Sequence, residues 1–199
     1  YNLIGRSDEE IQEQYKENPA KLSVEELLYA ATLTEDVAEQ KDIYTTAAQQ
    51  NPNDYRAYNN LAAAAIQEGD LSAARNYLLK ATAVKNDAPE VNANQALVAL
   101  AENNAEAAQS YLAKAATAQN YNEVLGNLLV AQGNYNQAAQ CLKGVNTNSA
   151  ALAQIMAKDY SSAASTLGSI AKPDALTSYL KAVLAARTNQ DAAVVSNLK

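Results

Sequence analysis

Apolar residues in this chain recur at helical spacing, and they do not alternate as a strand requires. Ala74 and Leu78, Ala108 and Leu112, Ala138 and Leu142, and Ala163 and Leu167 each stand four residues apart. A pair at that spacing shares one face of a helix. Ala81 and Ala115 extend the same face by three residues. Each pair follows a short polar break: Gly69-Asp70, Asn103-Asn104, Gly133-Asn134 and Lys158-Asp159. Upstream of the breaks lies another apolar stretch, Tyr58, Leu61 and Ala62 before Gly69, and Leu125, Gly126 and Leu129 before Gly133. The pattern predicts pairs of helices joined by tight turns, with small residues where the two helices approach and larger ones beside them.

Helix starts are marked as well. Ser7 with Glu10, Ser23 with Glu26 and Asp87 with Glu90 have the capping-box spacing. Asp54 follows the turn signal Asn51-Pro52-Asn53, and Asp70 is placed to cap the second helix of its pair.

The breaks form a series. Asn103 stands 34 residues after Gly69, Gly133 30 after that, Lys158 another 25 and Asn189 a further 31, while Glu35 lies 34 before Gly69. The set resembles the tetratricopeptide repeat family, a 34-residue helix-turn-helix unit. Tyr58, Leu61-Ala62, Gly69-Asp70, Ala74, Leu78 and Ala81 fill the family's pattern, with Pro52 closing the preceding unit. The best match runs over about 55–145, and weaker units flank it. The closing Pro is missing after several units, and the 25-residue spacing leaves little room for a full first helix near 149–157, where a local irregularity is expected.

The resemblance implies an all-α fold, a right-handed superhelix of stacked hairpins. The expected organisation is an N-terminal segment, 1–22, with a short helix near Ser7–Lys16, then an array over 23–199 of about five hairpins, the last one truncated. A single hairpin cannot bury its apolar face, so stacked neighbours make the core. The chain opens at Tyr1 and stops at Lys199 within a helical run, and is expected to be a piece of a longer one. Its last turn is expected near Asn189, leaving an apolar end around Val183, Val194 and Leu198 for the next helix or a second copy to cover. That end is expected to fray.

Composition then removes function classes. The net charge is -7, whereas phosphate recognition needs a basic face. No run of apolar residues approaches the length of a membrane span. There is no His and one Cys, so the commonest general base and the commonest metal-site ligands are missing. Asp8-Glu9-Glu10 and Glu25-Glu26 stand in first helical turns, where carboxylates complement the helix dipole. Cys141, between Ala138 and Leu142, reads as a small packed residue. The 12 Tyr carry all the aromatic packing, since Trp and Phe are absent. Tyr77 and Tyr111 share one repeat position and Tyr135 and Tyr160 another, which places them in packing slots. No catalytic constellation or cofactor motif is recognised, so the expectation is a non-enzymatic interaction scaffold without cofactor or metal.

In the family, first helices line a concave groove that holds an extended peptide or a helix. By register the groove would present Arg56, Asn59, Ala63, Ile66 and Gln67 from one unit. The next unit would give Glu90, Ala93, Leu97 and Leu100, and the one after it Asn120, Glu123, Asn127 and Val130. The two-carboxylate clamp of the family's chaperone-binding members requires Lys, Asn and Arg at such sites. Asn59, Ala63, Asn94, Asn120 and Val124 stand there, so that clamp is absent. An Asn59→Ala change is expected to be nearly neutral if the side chain faces the groove. A protein or peptide is the expected partner, with no nucleic acid. Two other readings remain open: glycan or nutrient capture, which needs at least three Tyr on one exposed face, and a purely structural spacer. The acidity and the richness in Asn, Gln and Ala are also similar to repeat segments of Gram-negative envelope lipoproteins joined to outer-membrane-protein-A-like domains. That likeness implies a periplasmic or outer-membrane location.

Overall fold

The computed structural model describes residues 5–198, with side chains described as far as Asn189. Helix α1 (Asp8–Glu17) and a 3-10 turn at Pro19–Lys21 precede α2 (Val24–Thr32) and α3 (Val37–Gln50). Then come α4 (Tyr55–Glu68), α5 (Leu71–Val84), α6 (Pro89–Ala101) and α7 (Ala105–Leu112). The chain continues with α8 (Tyr121–Ala131), α9 (Tyr135–Cys141), α10 (Asn148–Met156) and α11 (Tyr160–Gly168), and ends in α12 (Ala175–Leu198).

Consecutive helices pair as hairpins, α2 with α3, α4 with α5, α6 with α7, α8 with α9 and α10 with α11. The first helices also pack on one another, α6 on α4, α8 on α6, α10 on α8, and α12 on α10. They therefore form the inner layer, and the second helices lie outside them. Apolar clusters run along the array between the layers, built around Leu27 and Ile43, Leu78 and Val91, Leu112 and Val124, and Ile155 and Leu167. The paired positions Ala74/Leu78, Ala108/Leu112, Ala138/Leu142 and Ala163/Leu167 are all buried.

The recurring polar break has a backbone cause. Gly69, Asn103, Gly133 and Lys158 occupy the same slot, and each has a positive φ, 77°, 59°, 78° and 63°. The turn demands a left-handed residue there, which Gly supplies without cost and Asn tolerates. The amide after it bonds back into the first helix: Asp70 N to Ala65 O at 2.9 Å, Asn104 N to Ala99 O at 2.8 Å, Asn134 N to Leu129 O at 2.8 Å and Asp159 N to Gln154 O at 2.9 Å. Asp70, Asn104 and Asp159 then cap the second helix with their side chains. Ser23 and Glu26 form the full reciprocal capping box.

Four local expectations need correction. Asp87 does not cap α6; Ala88 holds the cap position, Pro89 opens the helix, and Asp87 pairs with Lys85 at 3.3 Å. Pro at the first position needs no N–H partner and fixes the helical φ. Ala115 is buried but lies outside a helix, because α7 stops at Leu112 and turns of the i→i+3 kind follow. Leu142 likewise sits at the cap of α9, past its last helical residue. The turn near Asn189 is not formed; α12 runs through it to Leu198. No Gly or Pro interrupts that stretch, and Thr188 donates its hydroxyl to Leu184 O at 2.8 Å, inside the helix.

Val183 is half-buried against the α10–α11 cluster, and the side chains of Val194 and Leu198 lie outside the described residues. Leu176 and Tyr179 on α12 are exposed. Among the described residues no helix is long and apolar enough to cross a membrane.

Candidate functional site

Polar contacts tie the inner helices together. Arg56 on α4 pairs with Glu25 on α2 at 2.8 Å and with its neighbour Asp54 at 2.6 Å. Tyr55 on α4 donates its hydroxyl to Glu90 on α6. Burial first, and the Glu90 carboxylate second, push the Tyr55 phenol up to about 12. The bonds from Arg56 hold the Asp54 carboxyl below its usual range, against the opposing effect of burial.

One turn further along α4, Asn59 meets Asn94 of α6. The Asn94 amide nitrogen donates to Asn59 Oδ1 at 2.8 Å and, at the limit, to the Asn59 carbonyl at 3.4 Å. The carbonyl fixes the orientation, because only an NH2 can face a backbone oxygen. Both side chains are nearly enclosed, at 6% and 7% exposure. The Asn59 Nδ2 and the Asn94 Oδ1 are left over from this exchange.

These amides form one wall of a concave cavity of about 400 Å³ between α4, α6 and α8. Glu90, Gln119, Asn120 and Glu123 complete the lining. Four amides and two carboxylates surround the space, with no Lys or Arg among them. Neither Glu90 nor Glu123 is in an ion pair among the described residues.

The structure brings together four of the groove residues read from the sequence: Asn59, Glu90, Asn120 and Glu123. Arg56 stands apart at the start of α4, held by its carboxylates. Ala63, Leu97, Leu100, Asn127 and Val130 are half-buried, with Leu97 and Leu100 packed on the α6–α8 core. Ile66 packs toward α5, and Gln67 is exposed at the end of α4. Ala93 is corrected: at 0% exposure it belongs to the core. The Asn127 Oδ1 is buried without a hydrogen-bond partner.

Asn94 was in view as a clamp position, and the structure makes it a wall of the cavity. Gln119 escaped the register altogether. It precedes α8 in the irregular stretch after α7, where helical periodicity says nothing.

A second hollow of about 300 Å³ lies between α5, α6 and α7, lined by Leu78, Leu79, Val98 and Tyr111 and crossed by the Arg75–Glu102 pair. The described tyrosines form no platform. Among the described ones only Tyr29 and Tyr179 are exposed, at 45% and 65%, and they belong to opposite ends of the array. Tyr15, Tyr44, Tyr55, Tyr58, Tyr77, Tyr111 and Tyr121 pack against the apolar clusters. Cys141 is a half-buried free thiol. Among the described residues no group of three or more Asp, Glu and Cys side chains is placed to hold a metal ion.

Residues 35–98 match the model of the tetratricopeptide repeat family. A comparison with curated proteins finds no match. Among solved structures the chain is similar to a tetratricopeptide repeat protein from Parabacteroides merdae ATCC 43184, at 15% identity and a TM-score of 0.60, over 92% of this chain and 79% of that one. It is also similar to a chain of the APC/C hetero-tetramer Cut9-Hcn1, at 17% identity and a TM-score of 0.66. That match covers 89% of this chain but 38% of the other. At these identities the likeness is one of fold.

Proposed function

We propose that the chain is a non-enzymatic scaffold, since residues 35–98 match the tetratricopeptide repeat family and the fold is shared along most of its length. Its inner face takes a protein or peptide segment. Tetratricopeptide arrays generally act as interaction scaffolds, and one structure similar to this chain is itself part of a hetero-tetramer. The observation that carries the reading is the cavity of about 400 Å³ on the inner layer, with hydrogen-bonding groups left over on its walls. The Asn59 Nδ2 and Asn94 Oδ1 left over from their mutual bond belong to residues lining this cavity, where a peptide can use them.

Capture experiments test this. The chain and a Glu90→Lys/Glu123→Lys variant would each be used as bait in cell extract. A protein held by the first and lost from the second supports the groove. A protein held equally by both removes it.

A second mode of association rests on α12, where Leu176 and Tyr179 are exposed at 51% and 65%. Two copies pairing through this face would give a dimer in sedimentation that a Leu176→Glu/Tyr179→Glu variant abolishes. An envelope location, periplasmic or at the outer membrane, accompanies the scaffold reading on the strength of composition, and cell fractionation tests it.

A further inference from the structure

The inner cavity has a chemistry that narrows its occupant. Its two carboxylates lie on successive first helices, Glu90 on α6 and Glu123 on α8, and no basic side chain lines the space with them. Glu90 spends one oxygen on Tyr55 and keeps the other. The chain as a whole carries a net charge of -7, so an anion approaching this face is repelled and a cation is drawn in.

Beside the carboxylates stands the Asn59–Asn94 pair, more than nine-tenths buried, with one amide donor and one amide acceptor unused. A donor next to an acceptor matches the C=O and N–H of a peptide unit. A bare metal ion would use the oxygens and leave the Asn59 Nδ2 unanswered, and a phosphate or a terminal carboxylate would face two like charges.

We propose that the cavity takes a Lys or Arg side chain of an extended peptide, the cation answered by Glu90 and Glu123 and the adjoining backbone by Asn59 and Asn94. This deepens the scaffold reading and depends on it. It also reverses the charge preference of the two-carboxylate clamp, whose Lys and Arg are missing here.

The test uses pools of N-acetylated, C-amidated heptapeptides with random Ser, Ala and Gly flanks and a central Lys, Arg, Glu or norleucine. Binding is read by fluorescence anisotropy. The Lys and Arg pools should bind, the Glu pool should not, and norleucine should bind at least about tenfold more weakly, the scale of a charged hydrogen bond. Glu123→Gln and Glu90→Gln, which keep shape and remove charge, should each weaken the Lys pool about tenfold, and added salt should weaken it further.

Equal binding of the norleucine or Glu pools overturns the proposal, as does a Lys pool indifferent to both Gln variants, or no binding by any pool. If the bait experiment still yields a protein lost from the charge-reversed variant, those outcomes sink the cation preference and leave the groove standing. If that protein too is retained, the groove itself falls.

Discussion

Gly126 is the place where a single methyl group should do the most damage. It lies in the middle of α8, and a Cβ built there would stand 2.4 Å from Leu142 Cγ and 2.6 Å from its Cδ2. Leu142 is fully buried, so it has nowhere to retreat, and the atom struck is the branch carbon, not the free end of a long side chain. Gly126→Ala sets two effects against each other. Ala gains about 1 kcal/mol of helix propensity over Gly. Overpacking a filled core costs about 1–3 kcal/mol, and a contact this short belongs at the upper end. The net expectation is a loss on the order of 1–2 kcal/mol, read as a lower urea midpoint by circular dichroism at 222 nm. Leu142→Ala alone should cost about 2–5 kcal/mol. Combined, the two changes should cost less than their sum, by about 1 kcal/mol, because the truncated side chain makes room for the new methyl. A Gly126→Ala protein that melts at or above the parent midpoint, or a strictly additive pair, would show that α8 and α9 are not packed as described.

Lys158 holds the left-handed turn slot that Gly69 and Gly133 hold elsewhere, so Lys158→Gly should raise stability by about 0.5–1 kcal/mol; an unchanged or lower midpoint would refute the strain. Asn94→Ala strands the Asn59 oxygen in a nearly closed wall and should cost about 1–3 kcal/mol in denaturant titration, where a solvated groove residue would cost nothing. The Tyr55 phenol, pushed up to about 12, adds stability that is full below the ordinary value of 10.0 and is lost as pH rises through the folded value. The Tyr29 and Tyr44 phenols are raised as well, so phenolate absorbance should show a late component that Tyr55→Phe reduces and Glu90→Gln moves to lower pH.

Much of the fold was legible because one backbone requirement recurs. A left-handed residue followed by a capping Asp or Asn is a rare combination, and Gly69-Asp70, Asn103-Asn104 and Lys158-Asp159 all satisfy it. Asn189-Gln190 imitates the composition of the slot without its necessity, and the helix passes through. Lengths were less legible than positions. The stretch after Leu112 is rich in Ala, yet it leaves the helix. The nine residues of α10, by contrast, match the little room that the 25-residue spacing leaves.

The site was half legible for a related reason. Counting by the 34-residue period makes Asn59 correspond to Ala93, but the inner helices do not face one another at that offset. Tyr55 meets Glu90 and Asn59 meets Asn94, each 35 residues apart, so Ala93 turns into the core and Asn94 into the groove. The next step departs further, since only 30 residues separate Asn103 from Gly133. The shortened unit ends α7 at Leu112 and replaces the missing helical turn with a loop that carries Gln119 to the mouth of the cavity. Side chains bond α2 to α4 and α4 to α6, but no side-chain hydrogen bond joins α6 to α8 among the described residues. Where the ladder of inner contacts lapses, Glu90 and Glu123 keep their charge unanswered. The irregularity that defeats the repeat arithmetic therefore also falls beside the cavity lined by α4, α6 and the start of α8.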